Sequence, residues 1–203
     1  MKKYTWQDII KENDSSIKLI WYWSLINSNT HHSEHHGKPV VCKWFKRVYN
    51  LGMKQLTPED KWYKFFKEYL KKYWIINKKT RNKYIHKNSC VLNCIRTWDD
   101  WDMVNGLCID VEPKDFESYK TRENQYFLYK TSFDYICPKT GKLTHTKQKA
   151  YILWAKKQRV VSDWTPFMNY HINTRNWAYE LWKKFWKIFD KTTFNTDWKK
   201  IYC

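Results

Sequence analysis

A chain that holds 14 Trp, 15 Tyr and 10 Phe but only 4 Gly and three alanines (Ala150, Ala155 and Ala178) must build its interior from rings. Rings are large and directional, so such a core interlocks through edges and faces and has few small side chains with which to fill gaps. The same rings argue against disorder. Charged residues make up 29% of the chain, yet the 19% of aromatic residues supply the apolar area that disordered segments lack. At 203 residues the chain is long enough to bury a core as a single domain spanning 1–203, without disulfide staples.

Local signals favour helices. Thr57, Pro58, Glu59 and Asp60 form a helix start, after which Trp62, Phe65, Phe66, Tyr69, Tyr73 and Trp74 recur on one face and lysines occupy the other. Thr5 with Asp8 three residues on predicts a capped N-terminal helix, and 16–26 reads as helical or extended. The stripe Ala178, Leu181, Trp182, Phe185, Ile188 and Phe189 predicts a helical region near 174–190. Between Gly106 and Trp154 the pattern changes to a short strand and two strands around a turn at Pro138–Gly141. The expected class is therefore α+β, a helix-rich domain with a small antiparallel sheet or hairpin around 106–154. A His-rich loop near 27–39, carrying His31, His32, His35 and His36, links the first region to the next.

The 38 Lys+Arg against 20 Asp+Glu, a formal charge of +18, speak to partners and not to fold. They favour nucleic acid, with an anionic membrane surface or an acidic protein as alternatives. Lys78, Lys79, Arg81, Lys83, Lys156, Lys157 and Arg159 lie in polar links or at element ends, where charge reaches a partner, and are the expected phosphate contacts. Lys43, Lys46 and Arg47 form another basic cluster. The expected role is a basic accessory protein that binds nucleic acid through phosphates with little sequence specificity and without catalysis.

Two constellations carry chemistry of their own. His86, Cys90 and Cys94 recur at a spacing of four and, with Cys108, offer a ligand set for zinc, although no cofactor is otherwise expected. Cys90 is also followed by Arg96 and Thr97 in a run that resembles the C-x5-R-[ST] signature of cysteine phosphatases. That resemblance implies Cys90 as thiolate nucleophile, Arg96 as phosphate clamp and Asp100, or its neighbours Asp99 or Asp102, as general acid.

His86 and Cys90 also match the H-x3-C portion of a motif carried by some accessory proteins of small circular single-stranded DNA viruses, W-x7-H-x3-C-x-C-x5-H. The low Gly and Ala and high Trp and Lys resemble such accessory proteins in composition. No stretch approaches the roughly 18 to 20 apolar residues of a membrane span, and the first residues turn acidic before any apolar run. The expected address is intracellular, cytoplasmic or nuclear. Lys78–Arg81, "KKTR", resembles a nuclear-import signal.

Overall fold

The structure is a computed structural model; it describes residues 2–22, 37–52, 89–137, 139–162, 164–166, 168–195 and 199. Ten strands run in chain order: β1 (Lys3–Tyr4), β2 (Ile17–Trp21), β3 (Lys38–Lys43), β4 (Phe45–Gly52), β5 (Ser89–Arg96), β6 (Met103–Val111), β7 (Tyr126–Ile136), β8 (Leu143–Ala155), β9 (Thr165–Pro166) and β10 (Thr193–Phe194). Helices α1 (Trp6–Glu12), α2 (Phe116–Arg122), α3 (Met168–Leu181) and α4 (Lys183–Lys191) are interleaved with them.

The strands close on themselves. β7, β3, β6, β2 and β8 follow one another in a sheet, and β8 returns to pair with β7, giving a five-stranded barrel with β1 as a short extra edge on β7. All its pairings are antiparallel except β2 with β8, where Leu19 faces Tyr151 and Ile20 faces Ile152. Closure removes the unpaired edges an open sheet would present. Leu19, Val40, Val104, Leu128 and Leu153 in its strands are all fully buried. A smaller sheet, ordered β10-β4-β5-β9, packs beside it.

This architecture corrects the expectation of a helix-rich α+β domain with a small sheet: among the described residues strand outweighs helix, and the barrel is the centre of the fold. The predicted hairpin exists as β7 and β8 but is one part of that barrel. What concealed the rest is local. β3 and β4 are separated by a single residue, Trp44, whose φ of 66° lies in the left-handed region. Sequence usually flags a left-handed residue with Gly or Asn, because a bulky side chain there is strained. The spacing of Cys90 and Cys94 misled for another reason, since four residues apart is one face of a helix and equally one face of a strand.

The helical signals were read closer to their outcome. Asp8 N–H donates to Thr5 Oγ1 at 3.2 Å while Thr5 N–H donates to Asp8 Oδ2 at 2.7 Å, a reciprocal cap at the start of α1. The region expected near 174–190 is two helices parted at Trp182, where the backbone is extended. Arg175 joins them by donating to both carboxylate oxygens of Asp190, at 2.9 and 3.0 Å. The Thr57 helix and residues 27–36 of the expected His-rich loop lie outside the described residues, and Lys38 and Pro39, expected in that loop, begin β3.

Two features tie barrel to helices. Gly106 in β6 lies so close to β2 that a Cβ there would stand 2.2 Å from the Trp21 carbonyl oxygen. Arg47 in β4, expected at the surface, is fully buried instead. Its Nε donates to Tyr22 O at 2.9 Å, its Nη1 to Thr192 Oγ1 at 3.0 Å, and its Nη2 to Asn105 O and Asn105 Oδ1. The guanidinium stacks 4.6 Å from the Phe189 ring.

Candidate active site

One end of the barrel gathers the C-terminal residues of β2 and β8 and the first residue of β7, because Tyr126 pairs with Ala155 and Trp21 with Leu107. α2 ends there too. Its last turn delivers Glu123, whose N–H donates to Tyr119 O at 2.8 Å, and a turn follows in which Tyr126 N–H donates to Glu123 O at 3.1 Å. The backbone between helix and strand is thus held on both sides of the carboxyl.

Glu123 is only 5% exposed, which is rare for a carboxyl without a cationic partner. Its partner is the adjoining residue: Arg122 Nε donates to Glu123 Oε1 at 2.8 Å. The Arg122 guanidinium is itself enclosed by rings, 4.5 Å from Tyr119 and 5.2 Å from Trp21. Trp21 and Trp6 each lie 5.8 Å from Tyr119, so the site has a wall of three rings. Tyr126 and Tyr22, both buried, stand on the barrel side. The Tyr22 hydroxyl donates to Leu153 O at 2.7 Å and accepts from Cys94 N–H at 2.9 Å.

Burial pushes the Glu123 carboxyl above its ordinary value of 4.5, and the Arg122 charge and hydrogen bond pull it partly back. Burial also raises Tyr126, with the Glu123 charge adding to it. A carboxyl raised in this way exchanges a proton nearer neutrality than an exposed one. The shift has a consequence for stability. Below pH 4.5 the folded and unfolded chains both hold this proton. As pH rises from there toward the raised folded value, the unfolded chain releases it first, so the contribution to stability falls, and above the folded value it falls no further. The melting temperature of the wild type relative to Glu123→Gln should therefore decline from pH 4.5 toward neutrality. A difference that rises with pH would mean that the Arg122 pairing outweighs burial.

The residues singled out from sequence do not assemble here. Cys90 and Arg96 stand at opposite ends of β5, roughly 20 Å apart at about 3.3 Å per residue, so no loop wraps an anion between them. Cys90 is buried and its thiol is pushed up to about 12 by burial, the reverse of an activated nucleophile. Asp100 accepts from Trp44 Nε1 at 2.6 Å. Cys94 and Cys108 are buried thiols on β5 and β6, and burial raises both, Cys94 far above the ordinary thiol value and Cys108 to about 11. His86 lies outside the described residues, among which no group of three metal-ligating side chains occurs.

Of the expected phosphate contacts, Lys78, Lys79, Arg81 and Lys83 lie outside the described residues. Arg159 donates to Gly52 O at 2.8 Å and Lys156 covers the Phe127 ring at 5.4 Å, so both also serve the fold; Lys157 is exposed. Glu123 and Tyr126 carry no motif in the sequence. The only signal was a carboxyl between a helix end and a strand start in the aromatic surroundings Tyr119 to Tyr129.

The chain matches no protein-family model, and no curated protein matches it in sequence. Among solved structures it is similar to YkqA from Bacillus subtilis, with a TM-score of 0.52 at 11% identity over 89% of this chain and 55% of that one. The chain thus spans about half the length of YkqA, and the likeness is one of fold. A glutathione-specific γ-glutamyl cyclotransferase from yeast matches with a TM-score of 0.48 at 12% identity over 82% of this chain and 85% of that one. Another γ-glutamyl cyclotransferase matches at 0.39 and 11% identity, over 70% of this chain and 67% of that one.

The fold corrects the functional expectation: the barrel, shared with YkqA, is not the helical basic surface foreseen for a nucleic-acid-binding accessory protein, and Cys90 and Arg96 form no phosphatase loop. Among the described residues no helix is long and apolar enough to cross a membrane.

Proposed function

We propose that the chain is an enzyme in which Glu123 moves a proton during transfer of a carbonyl group between two nitrogens of one small substrate. One observation carries this reading: a buried carboxyl, raised toward neutrality, held rigidly at a barrel end beside Arg122, Tyr126 and a wall of rings. Groups tuned by burial and a specific charge partner are candidates for acid–base work.

As a carboxylate, Glu123 takes a proton from the attacking amine while the new C–N bond forms. As a carboxylic acid it returns that proton to the departing nitrogen while the old C–N bond breaks, so no net proton is consumed. Arg122 is a positioning residue that keeps the carboxylate form accessible, since without its charge burial would hold the proton more tightly.

The test is release of free amine from γ-glutamyl compounds, glutathione first because it is the compound named for the yeast neighbour. The wild type is expected to turn over at least one of them, and Glu123→Gln to lower kcat by about 10²- to 10⁴-fold with the fold retained by circular dichroism. Turnover that survives Glu123→Gln, or none by the wild type on any of the series, would overturn the proposal.

A further inference from the structure

A concave site lies on the flank of the barrel, distinct from the Glu123 end. It is a cleft of about 390 Å³ between the β7–β8 wall and the start of the β4–β5 ribbon. Lys2, Arg96, Lys130 and Lys149 all line it, with the Ser132 hydroxyl and the Trp44 indole, and none of its lining residues is acidic. In a chain with 20 acidic residues, four cations facing one cleft without a carboxylate in its lining call for an anion.

The cleft is built, not incidental. At the register shift between Ser132 and Asp134, β7 advances two residues while β8 advances four, from Lys149 to His145, so β8 bulges at this point, and such bulges re-aim side chains beside functional sites. Lys149 donates to Ser132 Oγ across the hairpin, directing both groups into the same space. Asp134, just past the bulge, is occupied by His145 at 2.8 Å. Lys130 packs 5.6 Å from the Tyr151 ring and Arg96 4.5 Å from the Trp98 ring, contacts that steady each stem. Lys2 shares its charge with Glu12 at 3.2 Å, an exposed pair that solvent screens.

Trp44 supplies the rim. Its left-handed backbone is a strained state for so large a residue, and three hydrogen bonds hold it there. Trp44 N–H donates to Asp102 O at 2.6 Å, Thr97 N–H donates to Trp44 O at 2.7 Å, and Trp44 Nε1 donates to Asp100 at 2.6 Å. With 38% of its surface exposed, Trp44 remains accessible at the rim while Asp100 holds its indole N–H.

We infer that this cleft binds a small molecule carrying clustered negative charge, phosphate or carboxylate, whose oxygens meet Lys130, Lys149, Arg96 and the Ser132 hydroxyl under the Trp44 ring. The volume suits a compact metabolite. Charge-assisted hydrogen bonds from a planar guanidinium and two ammonium groups supply the affinity.

Calorimetric titration of the full chain at low salt with pyrophosphate and with citrate tests this, the two probes separating phosphate from carboxylate preference. One saturable site per chain is expected for at least one probe. Lys130→Glu/Lys149→Glu should weaken it at least about tenfold, and Lys149→Met, a milder change, about threefold or more. Lys157→Glu makes the same reversal of charge on an exposed lysine about 25 Å further along, at about 3.3 Å per residue, and should change affinity less than about twofold. Absence of saturable binding to both probes, or equal weakening by Lys157→Glu, would overturn the site. These outcomes leave the Glu123 reading untouched, because turnover at that end is measured separately.

Discussion

Arg47→Ala is expected to destabilise the fold by about 3–5 kcal/mol, the range found when one member of a buried charged network is removed. Arg47 is fully buried, and burial pulls its guanidinium down to about 10, still protonated at neutral pH. Its charge is met by oxygens instead of a carboxylate: Tyr22 O at the end of β2, both oxygens of Asn105 in β6, and Thr192 Oγ1 after α4. Truncation would orphan these acceptors and leave a void against Phe189. Asn105 has a further bond to lose, since its Nδ2 donates to Phe185 O at 2.7 Å. Denaturant unfolding measures the effect. Arg47→Met fills part of the void and removes a desolvated charge, so it should lose less than Arg47→Ala; a loss under about 1 kcal/mol for the alanine variant would show that the network is not a fastening between barrel and helices.

The second large effect is expected at Gly106, on the strand that carries Asn105. A methyl group there would meet the Trp21 carbonyl oxygen at 2.2 Å and the Trp21 carbonyl carbon at 3.0 Å, and backbone cannot step aside as the end of a flexible side chain can. Gly106→Ala therefore has to push β2 away from β6, at a cost of about 1–3 kcal/mol or more. The displacement falls one residue from Tyr22, whose carbonyl accepts from Arg47 and whose hydroxyl bonds Leu153 and Cys94. Because the two sites share that strand end, Gly106→Ala and Arg47→Ala should combine less than additively in a double-mutant cycle. Strict additivity would mean that β2 shifts without disturbing the arginine.

Single letters misled where burial reversed their usual meaning. Arg47 reads as solvated charge between Lys46 and Val48, yet it is the hub of a buried network, and nothing within a few residues of it announces the oxygens that receive it. Glu123 reads as one more acid after a basic helix, and its raised proton affinity comes from burial that its neighbours in sequence do not announce. Cys90 and Arg96 have the reverse history. Their spacing resembled a phosphate loop, and a regular strand separated them.

What the chain's own order of residues settled was local: the reciprocal cap of Thr5 and Asp8 and the β7–β8 hairpin. Caps and tight turns involve neighbours a few positions apart, so both can be read directly. The interior of rings foreseen from composition is instead mixed, with Trp21, Tyr49 and Phe185 sharing it with Leu19, Ile20, Val40 and Leu128. Tertiary structure alone decided that the strands close into a barrel, through the parallel seam of β2 on β8 and contacts such as Tyr22 with Leu153, 131 residues distant. It also decided which charges are buried and which line a cleft. Pairing between remote strands depends on which faces remain to be covered once the whole chain collapses, and a side chain's charge acquires its role from neighbours that only this collapse supplies.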